Sequence, residues 1–323
     1  MKRLFLSFFI CTMLLLAGCS ASGGTGTPSE QNGDMPLRIT AILPHDDALS
    51  GRSDGYWNFV MEGATAAAEG INADVKLVVP QVNYDVSQIT DLIYQEVYAQ
   101  ADAIIVQGID DVDYIAALNA AFDAEIQVVL VDTDVDTGFD CLYIGTDNLE
   151  AGRNLGQCLL QTTGGHANVL VISGSKGYPN VEERLQGFMD VIGDVPGIQI
   201  LDIAYDNFDS LTVMEEFNRM IVSFPSADTI VCLEGTGGHA LCQNLSRETT
   251  PVENFFVFDR TNSTEKGLEN GLVSAILAQD PQQMGYLAVQ EIYRYITMGS
   301  YSSDVLYTSA EILTEARDNG DAA

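Results

Sequence analysis

Basic side chains are scarce in this chain of 323 residues: 14 Lys and Arg stand against 46 Asp and Glu, a formal charge of -32. A surface so charged repels phosphate backbones and anionic headgroups, which argues against nucleic acid as a partner. Histidine is rarer still. The three, His45, His166 and His239, are far apart and fit no H-E-x-x-H spacing, so no metal site is supported and each reads as a lone surface residue. No C-x-x-C pair is present. Gly174-Ser175-Lys176-Gly177 lacks the spacing of a phosphate-cradling Walker loop and the order of a serine nucleophile elbow. The apolar run Leu4 to Leu16 is shorter than the about 20 residues that a membrane helix needs.

What is there points to an exported protein of two domains. Hydrophobic residues make up 46% of the chain and charged ones 19%, enough for two cores of ordinary size. Lys2 and Arg3, the apolar run, then Ala17 and Gly18 give the order of a secretory signal. Leu16-Ala17-Gly18-Cys19 resembles the lipobox of bacterial lipoproteins. That resemblance implies cleavage before Cys19, acylation of its thiol and a place at the outer face of the cell membrane. An ordinary cleaved signal is the alternative. Residues 1–18 are thus expected to be the signal, and 19–35, rich in Ser, Gly, Thr, Pro, Gln and Asn, a flexible tether. Cys141, Cys158, Cys232 and Cys242 allow three disulfide pairings, but each lies in or beside an apolar segment, which favours buried small hydrophobes.

From Pro36 onward strands and helices alternate. Strands are expected at Leu37 to Leu43, Val75 to Val79, Ala103 to Val106 and Val128 to Val131, with helices at Phe59 to Ile71, Val86 to Tyr98 and Tyr114 to Phe122. The pattern restarts with a helix near Leu149. Strands follow at Val169 to Ser173, Gln199 to Ala204, Thr229 to Leu233 and Phe255 to Asp259, with helices at Glu182 to Ile192, Leu211 to Ser223 and His239 to Leu245. A strand at Leu272 to Ala278 and a helix at Met284 to Met298 are left over, and the tail from Thr314 on is polar. Unbroken apolar strands alternating with amphipathic helices predict an α/β fold of two doubly wound, parallel-sheet, Rossmann-like lobes.

In such sheets a ligand sits beyond the carboxyl ends of the strands, where loops and helix N-termini converge. Residues just past those ends are Asp46, Asp132, Glu234 and Asp259, with Tyr56 and Trp57 on the first strand-to-helix loop. Acceptors beside ring faces suit polyols and sugars, whose C–H faces stack on rings while their hydroxyls donate.

Over residues 37–310 the order of these motifs resembles the type I periplasmic binding proteins, in particular their sugar-binding branch. Tyr56-Trp57, ahead of Gly63, is similar to the family's aromatic pair, and Val129-Leu130-Val131-Asp132 to its strand with a terminal Asp. Gly145-Thr146-Asp147-Asn148 with Glu150-Ala151-Gly152-Arg153 resembles the entry into the second lobe, and Glu183 to Phe188 the helix start that carries the family's Arg, here Arg184. Phe208, Asp259 and Gln279 fall where the family has a second aromatic, an Asp and a hinge-proximal Gln. Two departures stand out: Thr133 follows Asp132 where an Arg is common, and Glu234-Gly235 replaces Asn-Asp, leaving a pocket poorer in donors and richer in acceptors.

The resemblance implies a monomeric solute-binding protein without cofactor. It would bind a sugar or polyol-like ligand through Tyr56, Trp57, Asp132, Arg184, Phe208, Glu234, Asp259 and Gln279, and serve an ABC permease. It implies an N-terminal lobe of 36–145 plus 280–308, a C-terminal lobe of 146–279 plus 309–315, a tail at 316–323, and closure about hinges near Gly145 to Thr146, Gln279 to Asp280 and Tyr307 to Ala310. Plainer roles compete: Tyr56 and Trp57 as core or rim, Asp132 and Asp259 as helix caps, Arg184 in a salt bridge with Glu182 or Glu183, Glu234 turned to solvent. A sensor kinase or chemoreceptor is the alternative listener. Gly235 to Ala240 reads G-x-G-x-x-A between a strand and a helix, which keeps a dinucleotide-dependent enzyme as a remote alternative.

Overall fold

A computed structural model describes residues 35–44 and 55–314. The signal, Cys19 and the tether up to residue 34, His45, Asp46 and the tail beyond Thr314 lie outside the described residues.

Two six-stranded sheets carry the fold. The first joins β1 (Leu37–Ile42), β2 (Ala73–Val78), β3 (Ala103–Gln107), β4 (Gln127–Val131), β5 (Leu142–Gly145) and β11 (Val305–Tyr307) in the order β11-β5-β4-β3-β1-β2, every pair parallel. The second joins β6 (Ala167–Ser173), β7 (Ile198–Tyr205), β8 (Thr229–Cys232), β9 (Asn254–Phe258), β10 (Ala275–Gln279) and β12 (Ala310–Leu313) in the order β12-β10-β9-β8-β6-β7. Here β12 alone runs antiparallel, with Ile276 opposite Leu313. The second sheet repeats the strand order of the first, so the doubly wound class is found twice over.

Both faces of each sheet are covered, which is why the central strands are apolar throughout. Along β3, Ala103 and Ile105 pack toward α1 (Tyr56–Glu69) and α9 (Pro281–Met298). Ile104 and Val106 point the other way, to α2 (Val86–Ala99) and α3 (Val112–Asp123), as the period of a strand requires. The second sheet is covered by α4 (Asn148–Thr163) and α5 (Pro179–Ile192) on one face. On the other lie α6 (Ser210–Ser223) and α7 (Gly235–Asn244), with Leu268 of α8 (Asn262–Glu269) packed beside them.

Each lobe uses the same device to bring two helices close. At the α1–α9 crossing a side chain on Gly63 would overlap the carbonyl of Gln282, and one on Gly285 that of Val60. At the α4–α5 crossing Gly152 and Gly187 stand in the same relation to the carbonyls of Arg184 and Leu149. Six of the nine helices among the described residues start on an acidic cap whose carboxylate accepts backbone N–H groups: Asp85, Asp111, Asp147, Asp209, Glu234 and Asp280. Part of the acidic excess is therefore spent on helix starts, where it also suits the helix dipole.

The chain passes between the sheets three times, from β5 to α4 through Thr146 and Asp147, from β10 to α9 through Asp280, and from β11 to β12 through Thr308 and Ser309. Several features differ from the sequence pattern. β5, α8, β11 and β12 are additional, and the strand expected from Leu272 begins only at Ala275, after a turn at Gly271 with φ 73°. His239 is buried, its Nδ1 2.8 Å from the Ser263 hydroxyl and its Nε2 2.8 Å from Gln243 Nε2, so it is not a surface histidine. The four cysteines are free; burial raises every thiol, that of Cys242 to about 12. No described helix is long and apolar enough to cross a membrane.

Candidate functional site

The fourth strand of each sheet, β4 and β9, ends in an Asp on a left-handed backbone, Asp132 at φ 66° and Asp259 at φ 68°. Asp tolerates this conformation because its short side chain can bond locally, yet it costs about 1–2 kcal/mol per residue. Two equivalent strand ends held in this conformation make Asp132 and Asp259 candidate site positions.

Asp132 is buried and gathers four donors. The Tyr56 hydroxyl donates to Oδ1 at 2.6 Å, while Gln107 Nε2 at 2.8 Å, the Thr133 hydroxyl at 2.9 Å and Asn180 Nδ2 at 3.1 Å donate to Oδ2. A carboxylate offers about four lone-pair sites, two on each oxygen; here three donors converge on Oδ2 and Tyr56 alone serves Oδ1. Asn180 belongs to α5 and Asp132 follows β4, so the last bond ties the two lobes together. Burial and the Asp132 charge push the Tyr56 hydroxyl well above its ordinary pKa, with a further rise from Asp259, and keep it a donor.

Arg184, also buried, organises the other lobe. Its Nε donates to Asn148 Oδ1 at 2.8 Å, Nη1 to the Leu233 carbonyl at 3.1 Å and Nη2 to Gln279 Oε1 at 3.0 Å, and the guanidinium lies 4.4 Å above the Phe258 ring. No carboxylate among the described residues lies within ion-pair distance of it, so the salt bridge with Glu182 or Glu183 is not formed. Gln279 Oε1 also accepts from the Thr146 hydroxyl at 2.8 Å, and Nε2 donates to Asp259 Oδ1 at 2.6 Å. Arg184, Gln279 and Asp259 thus form one chain of hydrogen bonds across a crossing between the sheets.

Glu234 neither turns to solvent nor stands free. It caps α7, accepting from the Thr236 and Gly237 amides, the groups a pyrophosphate would need at this helix start. Gly235 beside it has no room for a side chain because the Asp259 carboxylate occupies that space. Neither Asp132 nor Asp259 is a helix cap. Trp57 lies in the core of the first lobe, edge-on to Tyr56 at 5.1 Å and 2% exposed, with no partner for Nε1 among the described residues. Phe208 stacks on Tyr84 at 5.1 Å and meets Tyr178 edge-on at 4.8 Å. Tyr84 follows β2 and Phe208 follows β7, the equivalent edge strands, so the rings meet across the lobes, and both sit at positive φ.

A cavity of about 430 Å3 opens between the lobes. Tyr56, Asp259 and Gln279 line it; Trp57, Asp132, Arg184, Phe208 and Glu234 do not. The remaining wall comes from Phe59, from Arg260 to Asn262 with Glu265, and from Asp280 to Gln282. Gln107, Asn180, Tyr84 and Tyr178 escaped the sequence analysis, and Thr146 and Asn148 entered it only as part of the passage into the second lobe, not as site residues. Gln107 and Asn148, at a strand end and a helix start, could have been found by the same rule that yielded Asp132.

Comparisons with known proteins agree with this fold. Residues 48–300 match a family model described as a periplasmic binding protein domain. The ribose import binding protein of Escherichia coli (strain K12) is 23% identical over 177 residues, 54% of this chain, so the chain spans only 58% of that relative. The D-apiose import binding protein of Paraburkholderia graminis is 21% identical over 289 residues, 88% of each chain. Among solved structures, the glucose-galactose binding protein GanP from Geobacillus stearothermophilus superposes with a TM-score of 0.78 at 25% identity, covering 86% of this chain and 97% of that one. A solute-binding protein from Burkholderia graminis in complex with D-arabinose gives a TM-score of 0.78 at 24% identity, covering 90% and 99%.

Proposed function

The chain belongs to the periplasmic binding protein domain family, and we propose that it is an extracytoplasmic solute-binding protein that captures a sugar or related polyhydroxylated molecule and delivers it to an ABC permease. The observation that carries this is the pairing of Asp132 and Asp259 at equivalent strand ends of two sheets, with Tyr56 bonded to the first and lining a cavity with the second. Carboxylate and amide acceptors beside a ring are what neutral hydroxyl-rich ligands need. The names of the ribose, apiose and glucose-galactose proteins support the same ligand class.

Capture proceeds by closure about the three crossings. The ligand docks on one lobe, the other swings over it, and exclusion of water strengthens each hydrogen bond. The Asn180–Asp132 bond and the Tyr84–Phe208 stack support this, because such contacts exist only while the lobes are together. Leu16 to Cys19 supports a lipid anchor that keeps the protein near its permease. The cap that Glu234 places on α7 favours binding over dinucleotide chemistry, since the anion-holding amides are already taken.

The test is thermal unfolding and calorimetry of the mature protein with a panel of monosaccharides and glycosides, with mass spectrometry of whatever co-purifies. A saturable rise in melting temperature with at least one saccharide is expected, because a ligand of the folded state stabilises it by mass action. No shift across the panel together with a non-saccharide co-purifying ligand would refute the sugar-binding function.

A further inference from the structure

The cavity does not end where the hydrogen-bonded network ends. Its lining passes from the buried Tyr56 and Asp259 to the exposed Phe59, Arg260 and Gln282, which form its outer part. Its volume of about 430 Å3 lies in the range of about 300–1,000 Å3 that drug-sized ligands fill. Asp132 and Arg184 do not face it. Polar groups that can read a ligand therefore lie along the cavity.

Its outer end has the chemistry of a second saccharide position. Phe59 stands one helical turn after Tyr56 on α1 and is 41% exposed, a ring face beside amide and carboxylate groups. The ring is seated over Gly55, which stands at φ 82°, and its edge comes to 3.4 Å from where a side chain would begin there. Arg260 is neutralised by its ion pair with Glu265, and the Asp280 carboxylate accepts from the Gln283 amide at 3.0 Å. With Asp259, Glu265 and Asp280 against one Arg, the lining is net acidic and disfavours a sugar phosphate or nucleotide. A neutral ring with hydroxyls fits it.

We propose that the outer cavity is a subsite for a second sugar unit, so that the ligand is a glycoside of at least two rings; this rests on the sugar-binding function proposed above. The test compares calorimetric affinities of the full mature protein for glucose, galactose and arabinose with those for lactose, melibiose, cellobiose and maltose, in wild type, Phe59→Ala and Gln282→Ala. At least one disaccharide should bind more tightly than either of its component sugars. Phe59→Ala should weaken that disaccharide about five- to tenfold, leave the component sugar within about twofold, and leave the melting temperature without ligand unchanged. Gln282→Ala, on α9 where it packs against α1, should show the same selective loss. Monosaccharides that bind while no disaccharide binds more tightly, or variants that weaken both lengths equally, would overturn the subsite and leave the sugar function standing. If neither length binds, the subsite falls, and the sugar function falls with it when a non-saccharide ligand also co-purifies.

Discussion

At the scale of single residues, the buried network decides what each substitution does. Tyr56→Phe removes one of the four donors to Asp132 and leaves a buried carboxylate oxygen without its partner. A loss of about 1–3 kcal/mol in urea unfolding is expected. Trp57→Ala should cost about 3–5 kcal/mol, because the ring fills the core of the first lobe and its loss leaves a cavity. Any fall in ligand affinity would then accompany a damaged fold, which circular dichroism and urea titration would reveal. Glu183 has a pKa raised by partial desolvation and by the Asp134 and Asp147 charges, with Arg184 opposing. A carboxyl raised in the folded chain contributes fully below its ordinary range and loses that contribution as pH rises through the folded value. Glu183→Gln should therefore melt higher than wild type at pH 7 and equal to it near pH 4. Asp132, Arg184, Asp259 and Gln279 were legible because position after a strand, or a motif, names them. Trp57 was not, since the first turn of an amphipathic helix turns some rings to the core and others to the cleft. Asn180 gives no pattern at all, being one amide in a polar helix start.

At the scale of elements, the glycine crossings are the most exposed to damage. Gly63→Ala puts a methyl into the Gln282 backbone, and neither helix has a flexible side chain to yield, so α1 and α9 must part. Overpacking of this kind costs about 1–3 kcal/mol, and chemical denaturation should place Gly63→Ala at the upper end. Asp111→Ala, which strips a cap that accepts both the Asp113 and Tyr114 amides, should cost about 1 kcal/mol by the same measurement. The long helices and the central strands were readable because burial on both faces writes unbroken apolar runs. β5, β11 and β12 have three or four residues each, too few for any period to register, and α8 is polar over most of its length. The direction of β12 has no local signature either, since only its partner β10 defines it.

At the scale of the whole molecule, the closure proposed above predicts that the contacts between lobes set the balance of open and closed forms. Tyr84→Ala removes the stack on Phe208 and should shift that balance toward the open form by several-fold, in line with about 0.5–1.5 kcal/mol for an aromatic pair. Small-angle scattering without ligand should show a larger radius of gyration than wild type; identical curves would mean that the stack does not hold the lobes. Two lobes were legible in the sequence because the strand and helix pattern restarts, whereas how they touch was not, since Tyr84, Tyr178 and Phe208 are far apart along the chain. The three passages between sheets also order events in time. The first lobe cannot cover the α1 face of its sheet until α9, made from residues 281–298, has been synthesised. The second draws all but β12 from the continuous stretch 148–279. A growing chain can thus assemble that continuous stretch of its second half before its first half receives the helix that covers the α1 face of its sheet.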